Sequence, residues 1–144
     1  MRSKEDIIGL AEEKLDDAEC LFSNKRFNSA YYIAGYVIEL LLKAKICQTL
    51  GVGDIFDFGN SRKKLDGNLN RSLKVHDYDQ LLFLSGLYSQ FEKENTNNIS
   101  FKKHWSIVSQ WNENCRYYIA RSEADAKDFI TSVKEIKLWI QKHL

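Results

Sequence analysis

The sequence predicts an all-α fold, a five-helix bundle of the up-and-down type, on three observations. Proline is absent from the 144 residues, which suits long uninterrupted helices because proline costs about 3 kcal/mol inside one. Apolar residues recur at spacings of three and four in one segment after another, and no alternating strand pattern stands out. The run from Ser29 to Ala44, SAYYIAGYVIELLLKA, reads as a helix apolar on nearly every side, a pattern that belongs at the centre of a bundle or in a membrane. It is shorter than the ~20 residues a bilayer requires, and Glu39 and Lys43 interrupt it. The run is therefore the central helix of a soluble bundle, with an acid and a base four residues apart on one face.

The elements follow in order. The first helix runs from about Ser3 to Phe22, capped by Ser3 with Asp6 in an approximate capping box, and Ile7, Ala11, Leu15, Ala18 and Phe22 share its inner face. Residues 23–26, SNKR, form a short turn of the kind that joins antiparallel neighbours. The second helix spans about Arg26 to Leu50 and stops at Gly51-Val-Gly53. Residues 51–75 have no clean period; they carry glycines, asparagines and the basic residues Arg62, Lys63, Lys64, Arg71 and Lys74. A third helix starts near His76-Asp77, buries Tyr78, Leu81, Leu82, Leu84 and Tyr88, and ends in Glu94–Asn98. A fourth begins near Ser100 and carries Trp105, Val108, Trp111 and Cys115 inward. A fifth runs from Ser122 to the C-terminus with a capping box at Ser122 and Asp125 and a stripe of Phe129, Val133, Ile136 and Ile140.

Bulk properties bound the function. A chain of 144 residues reads as one domain, 1–144, able to bury about two-thirds of its unfolded surface. A formal net charge of +1 argues against a generic charge-driven nucleic-acid binder but leaves room for a local basic patch. Cys20, Cys47 and Cys115 form no C-x-x-C pair and each falls in a helix, which reads as buried free thiols in a reducing cytoplasm. The N-terminus lacks the continuous apolar core of a signal peptide. No metal-ligand spacing, phosphate-binding glycine loop or nucleophile elbow is present, so neither a metal nor a cofactor is expected.

Several polar residues stand out against this frame. Glu39 shares a helix face with Tyr32, Gly35, Tyr36 and Lys43. A buried carboxylate needs a cation, and Lys43 and Arg116 are the candidates. The pair either fixes helix register or floors a polar pocket walled by tyrosines. Gly35 costs about 1 kcal/mol in mid-helix relative to alanine, so it admits a close neighbour, either a helix or a ligand. Arg116 near the end of the fourth helix suits a carboxylate or a phosphate, with Tyr117 or Tyr118 able to stack on a base. Lys102 and Lys103 oppose the dipole at the start of that helix unless a bound phosphate compensates them; otherwise they are solvated lysines. His76 with Arg71 forms Arg-x-x-x-x-His, the pattern of a metal-independent ribonuclease with a histidine acid/base and an arginine on the phosphate. A histidine in that place also serves as a local hydrogen-bonding residue.

The run Phe27–Ala44, then His76-Asp-Tyr-Asp-Gln-Leu81, then Trp111…Arg116-Tyr117, resembles the HEPN domain family, in order and spacing from about Ser3 to Leu144. The resemblance implies an all-helical bundle, like the substrate-binding subunits of nucleotidyltransferases, that commonly forms homodimers. It implies partners such as minimal nucleotidyltransferases in toxin–antitoxin-like gene pairs, or a nucleotide or RNA, with no membrane. Ribonuclease members carry Arg-x(4–6)-His near the start of the last helix. Arg116 occupies what looks like that arginine's place, but the corresponding later positions hold Arg121, Ser122 and Glu123. The expected function is therefore a non-catalytic cytoplasmic module that binds through Glu39, Lys43, Tyr32, Tyr36, Arg116, Tyr117, Lys102 and Lys103. The alternatives are a ribonuclease toxin using His76 with Arg71 or Arg116, and a purely structural interaction module.

Overall fold

The computed structural model describes residues 3–51, 75–118 and 121–144, and all regular structure among them is helical. Helix α1 is Lys4–Ser23 and α2 is Phe27–Leu50; α3 is Tyr78–Leu84, α4 Tyr88–Asn97, α5 Ile99–Val108 and α6 Glu123–Gln141. A 3-10 helix, Glu113–Tyr117, lies between α5 and α6.

The local signals place the ends. Ser3 and Asp6 form a reciprocal capping box on α1, and Ser122 and Asp125 form another on α6. α1 closes in a Schellman turn: Arg26 N donates to Leu21 O at 2.8 Å, and Lys25 N donates to Phe22 O at 3.0 Å. Lys25 takes the left-handed position (φ 60°) that glycine usually fills. Gly51 closes α2 in the same conformation, φ 65°.

α2 is the centre. It packs on α1, α3, α6 and the 3-10 helix, while α5 joins α6 and α4 joins α5. Partners on several sides account for its nearly all-round apolarity, and Ala30, Ala34, Val37, Ile38, Leu41, Leu42, Ala44 and Ile46 are all fully buried. Each large side chain removed from water contributes roughly 1.5–3 kcal/mol.

Two expected helices are corrected, giving six α-helices among the described residues instead of five. The third breaks at Ser85-Gly86-Leu87. Gly86 adopts φ 79°, and the Ser85 hydroxyl donates to Leu82 O and accepts from Leu87 N, so side-chain bonds replace the helical ladder. The break turns Leu87 and Phe91 inward and leaves Tyr88 exposed, where a continuous helix would bury it. The fourth ends at Val108 and does not reach Arg116. Trp111 and Cys115 are nevertheless buried, held by the turn and by an Asn112 cap on the 3-10 helix. Cys47 and Cys115 are buried free thiols as expected, whereas Cys20 is exposed on the outer side of α1. Among the described residues, no helix is long and apolar enough to cross a membrane.

Candidate functional site

Helical spacing puts Tyr32, Gly35, Tyr36, Glu39 and Lys43 on one face of α2. Glu39 and Lys43 are each only 3% exposed, and Lys43 Nζ donates to Glu39 Oε1 at 2.7 Å. The second carboxylate oxygen faces His76: Nδ1 lies 2.9 Å from Oε2. Taking a lone carboxylate out of water costs several kcal/mol, and here both of its oxygens are matched. An ionised carboxylate only accepts, so Nδ1 is the protonated ring nitrogen. Nε2 then points outward, 3.5 Å from Glu113 Oε2 on the 3-10 helix. His76 precedes α3, whose cap is set by Gln80 N donating to Asp77 Oδ1 at 3.0 Å.

An aromatic wall surrounds this acid. The Tyr32 and Tyr36 hydroxyls are 2.6 Å apart, and the Tyr36 ring meets the His76 ring edge-on at 6.2 Å. Burial, then the bond to Tyr32 and the charge of Glu39, push the Tyr36 phenol far above its ordinary pKa. Tyr78 is buried and donates to Gly35 O at 2.5 Å; burial first and Glu39 second raise its pKa well above 10.0.

Gly35 is where the wall closes. A methyl built on it would lie 2.1 Å from the Trp111 indole, so only hydrogen fits. Trp111 stacks on Tyr78 with ring centres 5.3 Å apart, and its Nε1 donates to Tyr32 O at 3.0 Å. Trp111 thereby anchors the start of the segment that carries Glu113, Arg116 and Tyr117.

Arg116 and Tyr117 occupy the outer rim. Both are exposed, and the guanidinium stands 4.9 Å over the Tyr117 ring. The hydroxyl of Tyr117, and to a lesser degree that of Tyr32, raises the Arg116 pKa above its ordinary value. A cleft of about 620 Å³ opens beside His76; its lining includes Asp77, Asp79, Asn112, Glu113 and Asn114. A second groove, of about 450 Å³, runs between Leu10, Ile33 and Leu40 past Tyr32, Tyr36 and Glu39.

The structure thus brings Glu39, Lys43, Tyr32, Tyr36 and His76 together, with Arg116 and Tyr117 at the edge. Arg116 is not the second partner of Glu39: it lies exposed at the rim, and His76 takes the inner place. Lys102 and Lys103 are exposed on α5 and belong to no ion pair in the cluster. Arg71 lies outside the described residues. Glu113 and Tyr78 had no site role in the sequence reading; nothing local marks Glu113, and the tyrosine hydroxyl of Tyr78 was the only hint of a buried partner. Among the described residues, no group of three or more His, Cys, Asp or Glu is placed to hold a metal ion.

The family model for the HEPN domain matches residues 5–143. Comparison with curated proteins and with solved structures finds no match.

Proposed function

The chain belongs to the HEPN domain family, and from that premise we propose that it is a non-catalytic module, one domain over 1–144. It holds the phosphate of a nucleotide or RNA at Arg116 and Tyr117, working in the cytoplasm as a homodimer beside a partner minimal nucleotidyltransferase in a toxin–antitoxin or defence pair. The observation that carries the reading is that both ring nitrogens of His76 face carboxylates, Glu39 at 2.9 Å and Glu113 at 3.5 Å. A histidine that cleaves RNA needs a free ring nitrogen near cations that hold the scissile phosphate. Beside His76 a phosphate meets Asp77, Asp79 and Glu113 instead. Arg116 supplies an exposed cation and Tyr117 an exposed ring, the pairing that suits phosphate and base. In this account Glu39, Lys43, Tyr32 and Tyr36 brace the rim and do not touch ligand. Calorimetric titration of the purified chain with nucleotides tests it: binding is expected, and Arg116→Ala weakens it at least tenfold. Failure of both nucleotides and the neighbouring gene product to bind leaves a purely structural interaction module.

A second reading, a metal-independent ribonuclease toxin, is favoured by the Glu39–His76 hydrogen bond, the orienting contact that a general base uses. It places Arg71 or Arg116 on the phosphate. Expression of wild type and His76→Ala in a host separates the two. Equal growth without RNA fragments removes the enzyme; growth arrest relieved by His76→Ala restores it.

A further inference from the structure

The turn between α1 and α2 and the residue that leads into α6 border an open surface pocket that the site at Arg116 does not use. It measures about 280 Å³ and is lined by Lys25, Arg26, Phe27, Asn28, Ser29 and Arg121. Of its charged lining residues, all are cations and none is a carboxylate. Elsewhere Lys14 pairs with Asp17, Lys134 with Glu19 and Lys137 with Glu12. In a chain of net charge +1, three cations and no carboxylate among the lining residues are a local excess.

The arrangement is fixed in place. The Schellman turn holds Lys25 and Arg26 at the end of α1. Arg121 N donates to Asn28 Oδ1 at 2.8 Å, tying the two segments across the pocket. The Arg121 guanidinium lies over the buried Tyr31 ring at 4.0 Å and 5.2 Å from the ring of the half-exposed Tyr118. A guanidinium stacked on a ring directs its N–H groups along its edge, the geometry that suits an oxyanion. The pocket is open to solvent, so a phosphate can enter it with part of its hydration kept.

We propose that Lys25, Arg26 and Arg121 form a second anion site that takes the 5′-phosphate of a nucleotide, with Tyr118 beside the base. Its chemistry stands apart from Arg116: it uses different side chains on different elements, so either site can fail without the other.

The test is NMR titration of the full ¹⁵N-labelled chain with adenosine 5′-monophosphate, adenosine and inorganic phosphate. The expected result is saturable shifts at the amides of residues 25–29 and 121 with the monophosphate, weaker ones with inorganic phosphate, and none with adenosine. Arg26→Glu raises the Kd for the monophosphate at these amides at least tenfold, and so does Lys25→Glu, while Arg116→Ala leaves it within twofold. Both substituted residues are exposed, so the variants fold even where Arg121→Ala does not. The proposal is overturned if the monophosphate produces no saturable shift there, or if both charge reversals leave its Kd unchanged. Equal affinity for monophosphate and inorganic phosphate removes the nucleotide assignment.

Discussion

Replacing Gly35 with alanine is the smallest change that reaches the whole site. The added methyl falls 2.1 Å from the Trp111 indole, too close for a shift of a few tenths of an ångström to relieve, so the ring must leave its seat. Trp111 is only 4% exposed, stacks on Tyr78 and bonds Tyr32 O. Losing a buried tryptophan costs about 3–5 kcal/mol. Against this, alanine is better than glycine inside a helix by about 0.5–1 kcal/mol. The net expectation is a loss of about 2–4 kcal/mol, a large part of a typical stability of about 5–15 kcal/mol. With a urea slope of about 1–3 kcal/mol/M, the unfolding midpoint falls by on the order of 1–2 M. Near-UV circular dichroism should weaken as Trp111 loses its fixed surroundings. The double variant Gly35→Ala/Trp111→Ala should cost less than the sum of the single ones, because both act on one contact. A Gly35→Ala protein as stable as wild type, with an unchanged near-UV spectrum, would refute the close packing and the anchoring role given to Trp111.

Other outcomes follow from the same contacts. Lys43→Met takes the ammonium from a carboxylate that is 3% exposed and should lower stability by about 3–5 kcal/mol, read from urea midpoints. Tyr36 and Tyr78 hold their protons to higher pH when folded than when unfolded. The folded chain therefore binds more protons above pH ~10, and stability that is complete below that pH falls as pH rises; urea midpoints between pH 8 and 11 should show it, with a shallower fall in Tyr78→Phe. His76→Ala should leave host growth indistinguishable from that with wild type, and a growth difference would favour the enzyme. Arg116→Ala, an exposed change on the 3-10 helix, should stay within about 0.5 kcal/mol of wild-type stability while the calorimetric binding event assigned to the Arg116 rim weakens at least tenfold.

Features written locally in the chain were legible in the sequence. Ser3 with Asp6, Ser122 with Asp125, the Asp77 cap and the Gly51 stop each depend on neighbours within a few residues, and each appears as expected. The burial of α2 was legible because its apolar residues leave no polar face wide enough for water. Glu39 and Lys43 stood out for the converse reason, as charges in that apolar run. Gly35 signalled a close neighbour, but which one depends on a chain reversal after α5 that brings Trp111 back across α2. The break at Gly86 was hidden by the apolar run on either side of it, since the Ser85 hydroxyl bonds that stabilise it are not a matter of periodicity. Arg116 was assigned to Glu39 by charge alone, whereas the 3-10 helix turns its side chain out to the rim and His76 fills the inner place. Glu113 joins the site only through folding: its carboxylate gains meaning from the His76 nitrogen 3.5 Å away.

A single gel tests the central claim, that each ring nitrogen of His76 faces a carboxylate and that the rim binds without cutting. Single-stranded RNA labelled at its 3′ end and carrying a 5′-hydroxyl is incubated with excess wild type, Arg116→Ala or His76→Ala, and both retarded and shortened RNA are read. The RNA is expected to stay full length throughout, retarded by wild type and His76→Ala but not by Arg116→Ala. Fragments formed by wild type and absent with His76→Ala would contradict it.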